Sequence, residues 1–98
     1  MTRDDALIQL KAHADSMRDM GATSLYLFGS TAQDDARPDS DLDLFIDYDP
    51  KSRFNGFDLV GIKLFLEEQL GTEVDVTTRD SLHPRLRARI ERSAVKVF

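Results

Sequence analysis

The stretch that most confines this chain is Asp41-Leu42-Asp43-Leu44-Phe45-Ile46-Asp47-Tyr48. Acids alternate with large apolar residues, and a period of two suits a strand with one face in a core. Leu42, Leu44 and Ile46 then point inward, while Asp41, Asp43, Phe45 and Asp47 share the other face. Neighbouring carboxylates repel, and one partner tends to hold a proton unless a cation lies between them. The run therefore asks for an apolar layer on one side and a source of positive charge on the other.

The remaining segments supply the layer. Residues 4–19 are predicted as a helix, with Leu7, Leu10, Ala14 and Met17 on one stripe and Gly21 placed to end it. Residues 24–28 form a short strand that stops at Gly29, and 31–36 a short helix broken by Pro38. An amphipathic helix is expected over Phe57–Leu70, closed by Gly71, then an alternating strand over 73–78 and a last helix over 81–93. Ala94–Phe98 is long enough for a short terminal strand. The order αβαβαβα is that of an α/β protein, a small mixed β-sheet flanked by helices, in one domain spanning 1–98. The helix between the second and third strands suits a crossover joining parallel neighbours. With their apolar faces on the same side, Asp75 joins Asp41 and Asp43 on the opposite face.

Composition removes several alternatives. There is no Cys, which excludes disulfides and thiolate metal sites and fits a reducing cytoplasm. No apolar run is long enough to span a membrane, and the acidic N-terminus does not read as a secretory leader. A net charge of −5 argues against a surface built for nucleic acid. The arginines at 85, 87, 89 and 92 read as a solvated helix face. His13 and His83 have no ligand-like spacing, and Asp47 reads as a solvated carboxylate at a strand end.

Hard oxygen ligands without His or Cys point to Mg²⁺ or Mn²⁺ rather than zinc. Asp41, Asp43 and Asp75 are the candidate metal-binding and catalytic residues. Two ions held there would stabilise the attacking and leaving oxygens of an in-line displacement, with Asp75 accepting the nucleophile's proton. Gly29-Ser30 ends a strand, and a glycine lets backbone approach a phosphate closely. With the hydroxyl of Ser30 it makes a candidate nucleotide-binding turn. Ser40, just before the metal pair, either bonds a phosphate or caps its own turn.

Gly29-Ser30, ten residues, then Asp41-Leu42-Asp43 resembles the signature of the DNA-polymerase-β-like nucleotidyltransferase superfamily. The short chain and the run FGSTAQDDARPDSDLDLFIDYDP resemble its minimal nucleotidyltransferases in particular. In that family a later strand Asp completes the metal triad, and Asp75 in TEVDVTT matches it. The resemblance implies two Mg²⁺ ions, ATP as substrate, and transfer of AMP. For minimal members of the antitoxin type it further implies a partner, a HEPN-type ribonuclease toxin modified on Tyr. A non-catalytic binding module, or a transferase acting on a small molecule or an RNA end, are the alternatives. One departure stands out: many relatives continue Gly-Ser-X-Ala with Arg-Gly, whereas this chain has Gln33-Asp34. Arg37 is a nearby source of the missing charge.

Overall fold

A computed structural model describes residues 1–34 and 41–98. Its elements are α1 (Arg3–Ala12), α2 (Ala14–Asp19), β1 (Ala22–Phe28), α3 (Gly29–Ala32), β2 (Leu42–Tyr48), α4 (Gly56–Leu70), β3 (Val74–Thr78), α5 (Pro84–Ser93) and β4 (Val95–Lys96). A 3₁₀ turn, Arg79–Ser81, joins β3 to α5. The strands form one sheet in the order β3-β2-β1-β4. β1 runs antiparallel to both β2 and β4, and β2 runs parallel to β3. The sheet is therefore mixed, and α4 is the crossover between its parallel pair, as the sequence predicts.

Period-two patterning sorts the sheet into two faces. Leu25, Leu27, Leu42, Leu44, Ile46, Val74 and Val76 pack with Leu10, Met17, Ile62 and Leu66 of the helices in one apolar cluster. Each of these four helix residues is fully buried, and burial of that kind contributes about 1.5–3 kcal/mol per side chain. The other face carries Asp43, Phe45 and Asp47 from β2 and is reached by α5.

Local signals set the ends of the elements. The Thr2 hydroxyl accepts from the Asp5 amide at 3.1 Å and starts α1. Asn55 and Asp58 form a reciprocal capping box at the start of α4, and Gly71, at φ +67°, ends it in the left-handed conformation. Glu67 then accepts the Val74 amide at 3.1 Å while Lys63 donates to the Val74 carbonyl at 2.8 Å. This clamp fixes where β3 begins, and the Val74 amide, followed by Lys63, holds the Glu67 carboxyl below its ordinary pKa. The His83 ring accepts from the Arg85 amide at 3.2 Å and caps α5, with Pro84 in its first turn.

Three expectations need correction. The predicted helix over 4–19 is two helices, because His13 leaves helical geometry at φ −107°, ψ 12° and lays its ring edge-on to Phe65. The short helix expected over 31–36 begins two residues earlier and ends at Ala32. α4 is less amphipathic than its spacing suggests, since Phe57, Val60 and Leu64 lie exposed on its outer side. Among the described residues, no helix is long and apolar enough to cross a membrane.

Candidate functional site

Parallel pairing of β2 and β3 brings the predicted carboxylates together. Their register sets Asp43 directly against Asp75, with Leu42 against Val74 on the rung before and Leu44 against Val76 on the rung after. Asp41 sits immediately ahead of β2 and is exposed. Partial burial pushes the Asp43 carboxyl above its ordinary pKa, and the charges of Asp75 and then Asp41 push it further the same way. The three acids thus form one electrostatic unit where the β2–β3 pair begins. Among the described residues, no three His, Cys, Asp or Glu side chains close into a ready-made metal cage. Mg²⁺ does not require one: it usually takes one or two carboxylates and fills its other positions with water and phosphate oxygens. The donor set fits that ion.

The end of β1 completes the site. Phe28 pairs with Asp43 across the antiparallel ladder, so the next residue, Gly29, lies over the carboxylate. Gly29 has φ +75°, and a Cβ there would overlap Asp43 Oδ2 and lie 3.2 Å from Asp43 Cγ. Glycine is required twice, by its backbone and by its neighbour. Ser30 is exposed beside it. The Thr31 hydroxyl is buried with no hydrogen-bond partner among the described residues. Ser40 and Arg37 lie outside the described residues.

The Gln33-Asp34 departure has a structural reading. Asp34 adopts φ 60°, the left-handed region where glycine is most at home and where Asp is among the tolerated residues. Its Oδ1 accepts the Arg3 amide at 3.2 Å, which ties the start of α1 to the end of α3. The turn therefore forms with Asp34 in the conformation that glycine would adopt most easily.

Four positions further along β2, just past the last pair of the ladder, the chemistry differs. Arg79 donates to both oxygens of Asp47, at 2.8 and 3.0 Å, and to Glu91 at 3.0 Å. Its guanidinium lies over the rings of Tyr26 and Phe45, 4.8 and 5.0 Å from their centres. Asp47 is thus an ion-paired carboxylate and not the solvated one that its place in the sequence suggests. Sequence reasoning missed Arg79, although it shares the Asp75 parity and extends that face one position past β3. Arg87 joins the group by donating to Glu91 at 2.9 Å. His83 and His13 serve a helix cap and an aromatic contact, away from the carboxylates.

Known proteins give an independent comparison. The family model described as "Nucleotidyltransferase domain" matches residues 10–97. A provisionally named protein adenylyltransferase of Methanocaldococcus jannaschii, MJ0435, is 40% identical over 78 residues, which cover 80% of this chain and 82% of the relative. The solved structure of a provisionally assigned minimal nucleotidyltransferase superposes with a TM-score of 0.82 at 34% identity, over 97% of this chain and 95% of that one. A chain in the complex of a tri-AMPylated Shewanella oneidensis HEPN toxin with an MNT antitoxin superposes with a TM-score of 0.64 at 16% identity, over 90% of this chain and 68% of that one, a likeness of fold.

Proposed function

The chain belongs to the nucleotidyltransferase domain family, and on that premise we propose that it transfers AMP from ATP to a Tyr hydroxyl of a HEPN-type ribonuclease toxin, acting as the antitoxin of the pair. The observation that carries this reading is the rung that opposes Asp43 to Asp75 beside a glycine that can bear no side chain. Such a rung costs stability in the empty protein, as like charges across a sheet do. A bound cation with a polyphosphate turns that cost into binding.

Asp41, Asp43 and Asp75 would hold Mg²⁺, which when bound neutralises charge that develops on the phosphates. The Gly29–Ser30 turn admits the nucleotide close to the backbone, and Ser30 adds a hydroxyl donor. Asp75 lies on an edge strand and is exposed, where an acceptor from another chain can reach it. Its carboxylate accepts the proton of the incoming hydroxyl. The hydroxyl oxygen forms its bond to the α-phosphorus as the bond from that phosphorus to pyrophosphate breaks. Positioning and charge supply most of the acceleration in reactions of this class. The acceptor class is supported by the name of the M. jannaschii relative and by the AMPylated toxin in the Shewanella oneidensis complex.

The decisive experiment incubates the chain with its partner, ATP and Mg²⁺, and reads both the partner's mass and its residual ribonuclease activity. Wild type is expected to add AMP, and Asp75→Asn to lose at least about 10²-fold in rate while still binding the partner. A partner silenced with its mass unchanged would identify a contact-only inhibitor.

A further inference from the structure

A cleft of about 210 Å³ opens beside the Gly29 turn, lined by Phe28, Gly29, Gln33, Leu86, Arg89 and Ile90, with Ser93 at its edge. Its floor is apolar, from Phe28 at the end of β1 and from Leu86 and Ile90 on α5. Arg89 is the one cationic side chain among the described residues that line it. We infer that Arg89 binds the triphosphate of the nucleotide, reaching from α5 to the place that Gln33 leaves uncharged. This inference rests on the nucleotidyltransferase reading above and assigns a residue within it.

Three observations carry it. The first is position: Arg89 and Gln33 line the same cleft as Gly29, whose neighbour across the ladder is Asp43. The second is charge balance. The site presents Asp41, Asp43 and Asp75, with Asp34 just past α3, so a polyphosphate entering it meets several acids and, on the Gly29–Ala32 turn, no cation. A fixed cation on the cleft wall offsets that repulsion without competing for the metal positions. The third is availability. Arg79 and Arg87 are engaged by Asp47 and Glu91, whereas among the described residues Arg89 carries no ion pair. Its planar guanidinium has the donor geometry for phosphate oxygens, and the apolar floor beneath it gives its stem a surface to lie on.

The test measures binding of adenosine, AMP, ADP and ATP, each with Mg²⁺, to wild type, Arg89→Ala and Arg89→Lys. Arg89 is exposed on a helix, and circular dichroism verifies that each variant keeps the fold. Arg89→Ala is expected to weaken ATP about tenfold and ADP less, leaving AMP and adenosine unchanged, with Arg89→Lys in between. An equal loss for adenosine and ATP would overturn the inference in favour of stacking on the base. Unchanged ATP affinity in Arg89→Ala, with wild type binding normally, would overturn this inference alone. Wild type that binds no ATP would overturn it together with the nucleotidyltransferase reading.

Discussion

Asp43 and Asp47 lie four positions apart on one strand and face the same way, yet they meet opposite surroundings. The register that opposes Asp43 to Asp75 carries Asp47 to Arg79, just past the end of β3. At one end of the face a carboxylate meets another carboxylate; at the other it meets a guanidinium held by two hydrogen bonds and stacked on two rings. The Asp47 cluster closes its own charge balance and serves the fold. The Asp43 cluster leaves its balance open, and repulsion of that kind in a folded protein points outward, to a ligand that brings the missing charge.

The largest effect that sharpens this contrast comes from supplying the charge. Mg²⁺ with ATP at about 100 times the dissociation constant is expected to stabilise wild type by roughly 2.7 kcal/mol, read as a rise in melting temperature. The double change Asp41→Asn with Asp43→Asn should abolish the rise. A rise that persists in the double variant would move the ligand elsewhere on the molecule.

Breaking the other cluster comes next. Arg79→Met leaves Asp47 without its cation and takes the guanidinium off Phe45, which is fully buried beneath it. A loss of about 2 kcal/mol is expected, between the values for surface and buried pairs, since the Arg79 side chain is 26% exposed. Chemical denaturation measures it. ATP binding per folded molecule should be unchanged, because this cluster closes its own charge balance.

The smallest effect has the opposite sign. Asp43→Asn alone, in metal-free buffer, should raise stability by about 0.2–1 kcal/mol by removing one of two opposed like charges. The pH dependence follows from the raised pKa of Asp43. Below the ordinary aspartate pKa the group is protonated in both states and costs nothing. As pH rises, the unfolded chain gives up its proton first, so stability falls until the folded carboxyl has also ionised, and the deficit is constant above that. The difference between wild type and variant should therefore be near zero in strong acid and grow through weak acid to a plateau. A difference independent of pH would assign the effect to packing.

Much of this arrangement was legible in the sequence because strand periodicity is local. The alternation at 41–48 and 73–78 gives the faces of β2 and β3, and the helix between them gives their parallel sense. Register is not local. That Asp75 lies opposite Asp43 follows from where β3 starts, which the Lys63–Glu67–Val74 clamp decides across the end of α4. For the same reason the pairing of Asp47 with Arg79 could not be read. The break at His13 was hidden because apolar spacing continues straight through it. The role inferred for Arg89 was hidden because a row of arginines on a short helix looks like solvated surface until the cleft beside it is known.

The contact between Gly29 and Asp43 makes two positions answer to one history. While residue 43 keeps its carboxylate, every side chain at position 29 collides with it. Shrink residue 43 to alanine, and what still argues for glycine is a tight 3.3 Å approach to the remaining Cβ and the positive φ, a demand that Asn or Asp can meet. Loss is therefore ordered: the acid can go first and the glycine afterwards, but not the reverse. Among descendants of such a chain, a bulky residue at 29 marks a lineage that had already abandoned the acid at 43. A glycine retained above an altered 43 leaves the way back open, since restoring the acid then takes a single substitution.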